Sequence, residues 1–416
     1  MVIGAGHSGL SVSHCLSQRS IDHVVLEKSK IANAWSTERW DSLKLLTPNW
    51  QNVLPGYRYE GNDANGYMST HQVTQFITDY AQRIQAPVHT DTEVLSVTEA
   101  PGGYQVHTNK GHWFCQSVVI ANGVCRKPNI PSVAGKLPKE VQSYSPLSYK
   151  NPDQLPDGDV LVVGGSATGV QLAEEIQHSG RKVTLSVGEH LRMPRLYRGQ
   201  DIQWWMDSAG FLDHKIEDQA DTSRARRLPS PQLIGSTTQR SIDLNVLSAS
   251  GVNIVGKLQQ IRDQQALFSG SLRNCCAMAD LKLNRLLDAF DQWATDTGMD
   301  ISVSDKERFA PINIEKPNLK TTLGGHGIRT VIWATGYRPD YSWLHLPVVD
   351  AKGHLKHNKG VIESNGRAIQ GLYAMGLPFM RRRKSGFIYG AAPDAEEITE
   401  HLEGYLASNR ALALAS

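Results

Sequence analysis

The feature that most constrains this chain is a passage it carries twice. MVIGAGHSGLSVSHCL opens the sequence, and VLVVGGSATGVQLAEEI occupies 160–176. The two superpose without a gap at an offset of 160, which places Gly4 on Gly164, Gly9 on Gly169 and Leu16 on Ile176. The strand that follows also matches, HVVL (23–26) against VTLS (183–186). In such a strand–turn–helix unit, glycines allow a tight turn and a close approach to a pyrophosphate, whose charge then sits at a helix N-terminus. The first copy reads Gly4-x-Gly6-x-x-Gly9, and Glu27 closes its second strand, placed to accept hydrogen bonds from a ribose. Strand, turn, helix, second strand and terminal acid in order predict a dinucleotide site.

The second copy differs in two places. Ser166 replaces the middle glycine, and Val187 stands where Glu27 stands in the first. An NAD site thus lacks its usual ribose-diol acceptor, and Arg192 and Arg195 (LRMPR) follow closely enough to pair with a 2′-phosphate. With Glu189 nearby, a solvated loop is the competing reading of these arginines. NADPH is favoured over NADH.

The repeat extends beyond the fingerprints. TEVLSVTEA, YQVHTNK and HWFCQSVVIANG alternate as a meander ending in VVIANG (118–123), and RTVIWATG (329–336) ends a later set of strands in nearly the same way. The expected fold is therefore α/β with two nested Rossmann-like dinucleotide-binding domains. Residues 1–152 and 325–416 are assigned to the first, and 153–324, with a helical insertion, to the second. An amphipathic helix is expected from Ser69 or Thr70, carrying Val73, Phe76, Ile77 and Tyr80.

Charge and cysteine usage exclude several classes. Lys+Arg number 43 against 41 Asp+Glu, giving no electrostatic case for nucleic acid. RRRK (381–384) reads as a surface loop. No apolar run approaches the roughly 20 residues of a membrane span, and no signal peptide is read at the N-terminus. By the repeat offset, a few residues of the first strand are expected upstream of Met1. The five cysteines include no C-x-x-C pair, which removes a dithiol reductase mechanism and suits a reducing cytoplasm. No His/Cys group has metal spacing, so no metal is expected. Trp204 and Trp205 are expected on a short helix, where core packing and substrate contact both remain open; residues 218–239 read as a polar loop, and MADLKLNRLLDAFDQWA (278–294) as an amphipathic helix.

These residues resemble the class B flavin-dependent monooxygenases, on the auxin-type and related bacterial branch. GAGHSG with Glu27 is similar to their FAD fingerprint, and GGSATG to their NADPH turn. WSTERWDSLKLLTP resembles the segment that lies along the flavin, ATGYRPD the link between domains, and GFIYGAAPDA the C-terminal return to the flavin. The chain departs from the family at the segment before the second fingerprint, where Leu137 and Lys139 replace Phe and Gly. It departs also at Leu46 and at Leu377, where related enzymes place asparagine and aspartate. The resemblance, with the fingerprints, implies FAD held by Gly4, Gly6, Ser8, Gly9, Glu27, Lys28, Trp35, Arg39, Trp40, Thr47, Val94, Ala121, Asn122, Gly123 and Asp394. It implies NADPH held by Gly164, Ser166, Ala167, Thr168, Gly169, Ser186, Arg192, Arg195, Ala334, Thr335 and Gly336. It further implies that reduced flavin captures O2 as a C4a-(hydro)peroxide, which gives one oxygen atom to a small organic substrate. A flavin oxidoreductase without oxygen transfer is the alternative. No side chain need act as nucleophile, so no catalytic residue is named, and a homodimer is left open.

Overall fold

Strand β1 (Val2–Ile3) runs through a glycine turn into helix α1 (His7–Gln18), followed by β2 (Val25–Leu26), α2 (Thr70–Arg83), β3 (Val88–His89), β4 (Val118–Ile120) and β5 (Lys127–Pro128). The passage recurs after β6 (Gln142–Tyr144) as β7 (Asp159–Val163), α3 (Ala167–His178) and β8 (Val183–Val187). Then come α4 (Ile202–Ser208), β9 (Asn253–Gly256), α5 (Leu272–Thr297), β10 (Ile328–Trp333) and β11 (Tyr337–Arg338). The chain closes with β12 (His357–Asn358), β13 (Val361–Ser364), β14 (Arg367–Ala374) and α6 (Ala391–Ala415). This computed structural model describes residues 1–415.

Two sheets carry these elements. The first has the order β12-β13-β14-β4-β1-β2-β3, parallel from β14 to β3 with an antiparallel edge; the second has the order β6-β10-β7-β8-β9, parallel throughout. Parallel strands buried on both faces read as continuous apolar runs, and Val160 to Val163 are accordingly at most 6% exposed. The α/β class and the two dinucleotide-binding units stand as expected. So does the meander, whose strands 94–100, 103–108 and 111–115 pair antiparallel. Helix α2 starts on a capping box between Ser69 and Gln72 and buries Val73, Phe76, Ile77 and Tyr80, the spacing read from sequence. The 218–239 segment is more structured than a loop, containing a short helix at Thr222–Arg226 and a strand at Pro231–Gln232.

The domain limits need correcting. Strand β6 lies before residue 152 and β10 after residue 325, yet both pair into the second sheet, with Tyr144 opposite Ile332 and Leu161 opposite Val331. Parallel pairing needs a long crossover, so one partner of β7 is the nearby β8 while the other, β10, comes from outside 153–324. The chain passes between units instead at β5 and β11, which pair antiparallel, Lys127 opposite Arg338 and Pro128 opposite Tyr337. Asn129 fastens this ribbon, donating its backbone N–H to Gly336 O at 2.9 Å and accepting the Thr335 hydroxyl at 2.6 Å. No helix among the described residues is long and apolar enough to cross a membrane.

Candidate functional site

The two turns share one backbone. Gly4 and Gly164 have φ of +107° and +123°, a region L side chains rarely adopt. A Cβ on Gly4 would lie 2.5 Å from Ala121 O, and one on Gly164 2.2 Å from Ala334 O. On Gly9 and Gly169 it would lie 1.9 Å and 1.7 Å from the carbonyls of Gly4 and Gly164. Ala121 and Ala334 hold matching places against the two turns, with their methyls 3.4 Å and 3.5 Å from those Cβ positions on Gly9 and Gly169. This explains why both halves end in A-[NT]-G: the small residue lets the helix approach its strand.

The middle position differs. Gly6 (φ −84°, ψ −178°) and Ser166 (φ −86°, ψ −176°) have the same conformation, open to any residue. A Cβ on Gly6 would meet no protein atom within 4 Å. Neither backbone nor packing requires glycine there, so the space it leaves suits a group from outside the chain. That space adjoins a helix start with no side-chain cap, where free N–H groups and the dipole favour an anion. The turn therefore fits a pyrophosphate. Ala167 and Thr168 open α3 in the same way.

At the strand ends the chemistry diverges. Glu27 accepts hydrogen bonds from the backbone N–H of Ala5 (2.8 Å) and of Ser29 (3.0 Å), which hold its carboxylate against the first turn. Ser8 is buried under Gly376, where a Cβ would come 2.4 Å from its hydroxyl. Lys28 is tied to Glu93 on the surface, and Val94 sits half-buried opposite Thr108. In the second turn the Val187 methyls fill the corresponding corner, 2.8 Å from a Cβ on Gly165.

Three segments bring the units together. Trp35 lies under the Arg39 guanidinium at 5.4 Å, and from there the chain crosses to the second unit. Lys150 Nζ donates to Arg39 O at 2.8 Å, and Ser42 donates to Glu175 on α3 at 2.6 Å. Thr47 follows Leu46, whose carbonyl accepts from Arg195 at 2.9 Å. From the C-terminal return, Phe387 and Tyr389 pack with Leu46 and Trp204 against the α4–α5 core. Asp394, buried in the first turn of α6, accepts from Arg382 at 3.0 Å, while its Oδ2 is left without a partner. Burial raises its carboxyl above the usual range. At the link, Asn122 donates to Asp340 O at 3.2 Å, and Gly123 and Gly336 have φ of +78° and +90°.

Several expected ligands are occupied elsewhere. Arg192 is 6% exposed and bound to Asp243 (2.7 Å) and Asp280 (2.8 Å). Arg195 is fully buried, over the Tyr67 ring and 3.6 Å from Asp201. Both guanidinium groups lie in the protein interior, Arg192 within its ion pairs and Arg195 with Nε and Nη2 unpaired. Ser186 donates to Gly256 O and accepts from Leu258 N–H, which commits its hydroxyl to the join between β8 and β9. Trp40, at 3% exposure, packs in the core of the second unit with Tyr149 and Val170. Trp205 is core as well: its Nε1 donates to Tyr197 O at 2.7 Å and its ring stacks on Phe290, while Trp204 stays partly exposed. RRRK is not a free loop either. Arg381 and Arg382 hold Glu397, Arg382 also holds Asp394, and Lys384 holds Asp213.

His7 lies in the first turn itself. Its Nε2 is buried without a partner, and burial pulls its pKa down to about 4. The ring is neutral at pH 7, so the turn's attraction for an anion comes from backbone N–H groups. A histidine depressed in the folded state opposes protonation there, and its contribution to stability is lost as pH falls from about 6.5 toward 4. In flavin-stripped protein, going from pH 7 to 5 should therefore cost on the order of 2 kcal/mol through this group. Urea titrations at both pH values should show that loss, and His7→Gln should diminish it.

Two nested dinucleotide-binding units, linked through the β5–β11 ribbon and differing at their strand ends, define an α/β fold of two Rossmann-like domains. Pyr_redox_3, the pyridine nucleotide-disulphide oxidoreductase family, matches residues 1–201. An uncharacterized CzcO-like oxidoreductase of Geobacillus kaustophilus is 31% identical, over 95% of each chain. Indole-3-pyruvate monooxygenase YUCCA6 of Arabidopsis thaliana is 27% identical over 97% of this chain and 89% of its own. A flavin-containing monooxygenase from Stenotrophomonas maltophilia superposes with a TM-score of 0.66 at 18% identity, covering 97% and 98% of the two chains. The chain belongs to the CzcO-like oxidoreductases.

Proposed function

We propose that the protein is an FAD- and NADPH-dependent monooxygenase that transfers one oxygen atom from O2 to a small organic substrate, at nitrogen, sulfur or a carbonyl carbon. The observation that carries this reading is the pair of turns with one backbone and unlike strand ends, in two units linked by the β5–β11 ribbon. FAD bound at the first turn would take a hydride from NADPH and supply the oxygen chemistry.

The chain's own part is to bind, orient and keep dry. Gly4 and Gly9 let α1 come close enough to present its N–H groups, and the space over Gly6 admits a phosphate. Glu27, fixed by two backbone donors, is available to accept from a ribose hydroxyl. Gly164, Ser166 and Gly169 serve the second nucleotide. Trp204, Phe387 and Tyr389, packed with Leu46, supply apolar surface that keeps water from the junction.

The second reading is a flavin reductase without oxygen transfer, which the disulphide-oxidoreductase match favours. The thiols argue against its dithiol form. All five cysteines are free, and burial pushes Cys15 and Cys276 up to about 12, where they remain protonated and unreactive. Anaerobic reduction with NADPH followed by rapid mixing with O2 separates the two. Monooxygenation predicts a transient flavin absorbance distinct from both oxidised and reduced forms. Direct return to oxidised flavin, with and without candidate substrates, would leave the reductase reading.

A further inference from the structure

With Arg192 and Arg195 buried in ion pairs and against an aromatic ring, the second turn needs another account of how it tells NADPH from NADH. In this fold the 2′-substituent of the adenosine ribose lies just beyond the second strand of the fingerprint, here the end of β8. Two lysines from other elements touch successive residues there, Gly188 and Glu189. Lys257, directly after β9, lays its stem against Gly188, its Cδ 3.6 Å from where a Cβ would be. Lys282, on α5, places its ammonium 2.8 Å from Glu189. Lys257 is exposed and forms no ion pair among the described residues, and the Arg224 charge also acts on Glu189. Lys282 and Arg224 thus act on a carboxylate that is itself 67% exposed and free to swing aside, while the uncommitted Lys257 lies against the preceding residue, Gly188.

We propose that Lys257 and Lys282 form the 2′-phosphate site of the second fingerprint and thereby select NADPH. This rests on reading residues 160–187 as the coenzyme-binding unit. The energetic logic is differential. A 2′-phosphate brings a dianion to a locally positive strand end and displaces Glu189 from Lys282. A ribose diol brings no charge, and the corner where a carboxylate would receive it is filled by Val187. Glu189 works against the phosphate by competing for Lys282.

The test is calorimetric titration of FAD-loaded protein with 2′,5′-ADP and 5′-AMP, which differ at the 2′ position. The wild type should bind 2′,5′-ADP more tightly, and added salt should erode the difference because the lysines are solvated. Lys257→Ala and Lys282→Ala should each weaken 2′,5′-ADP about tenfold and leave 5′-AMP within about twofold. Glu189→Gln should tighten 2′,5′-ADP. A Lys257→Ala/Lys282→Ala protein with wild-type affinity for 2′,5′-ADP overturns the assignment. So does a Glu189→Gln protein that loses 5′-AMP, because Glu189 would then be the diol acceptor of an NADH site. A wild type that binds neither fragment overturns the underlying coenzyme reading as well.

Discussion

Gly169→Val protein should retain its FAD yet be reduced by NADPH at least about a hundredfold more slowly than wild type, a barrier increase of about 2.7 kcal/mol. A Cβ at residue 169 would stand 1.7 Å from the Gly164 carbonyl, a backbone atom that cannot rotate away. Helix α3 must then lift from β7, and the N–H groups at its start move off the position where a pyrophosphate would sit. The first turn lies in the other sheet, with Ala121 rather than Ala334 behind it, and keeps its geometry. Flavin content from the visible spectrum and the rate of anaerobic bleaching by NADPH give both readings on one sample. Bleaching at the wild-type rate with FAD intact would show that residues 160–176 do not serve the coenzyme. Loss of flavin as well would show that the two units do not hold their structures separately.

Gly9→Val should give colourless protein. Its Cβ would fall 1.9 Å from Gly4 O, the same collision in the other unit. Because that collision disturbs α1 as well as the ligand, Gly6→Ala is the informative companion. Residue 6 has φ −84° and no protein atom within 4 Å of an added Cβ, so the alanine protein should fold with unchanged thermal stability when flavin-free. Its methyl would occupy the space read here as phosphate space, and FAD affinity should drop by about tenfold or more. A Gly6→Ala protein that binds FAD as tightly as wild type would remove the first turn from the flavin site.

What could be read from the sequence was local. Strand, turn and helix follow one another within some 20 residues, and the glycines act on their immediate neighbours, so both fingerprints and the α2 capping box were visible in the letters alone. Failures came wherever a residue's partner lies far along the chain. Strand β10 ends in ATG and was grouped with the flavin half, but its place is set by the register of Leu161 with Val331. Arg192 and Arg195 are the first cations after the second strand of the second fingerprint. Asp243 and Asp280, which neutralise Arg192, lie on other elements, as do Lys257 and Lys282. Trp40 sits in a flavin-like motif, but its neighbours belong to the other unit. RRRK looked like a solvated run because like charges repel, and only the fold reveals that Asp394 and Glu397 on α6 are there to receive it.

The β5–β11 ribbon has an entropic consequence for how such a chain holds together. Everything between Asn129 and Gly336 leaves the first unit and returns to it through two strands hydrogen-bonded side by side. Once the inserted unit has folded and this ribbon has zipped, the host experiences about 200 residues as if they were the tip of a hairpin. The closure cost grows only with the logarithm of loop length and is met by the insert's own folding. The covalent cost of the insert is therefore nearly independent of its length, whereas the contacts of Ser42, Leu46, Phe387 and Lys384 fix the face that it must present to the first unit.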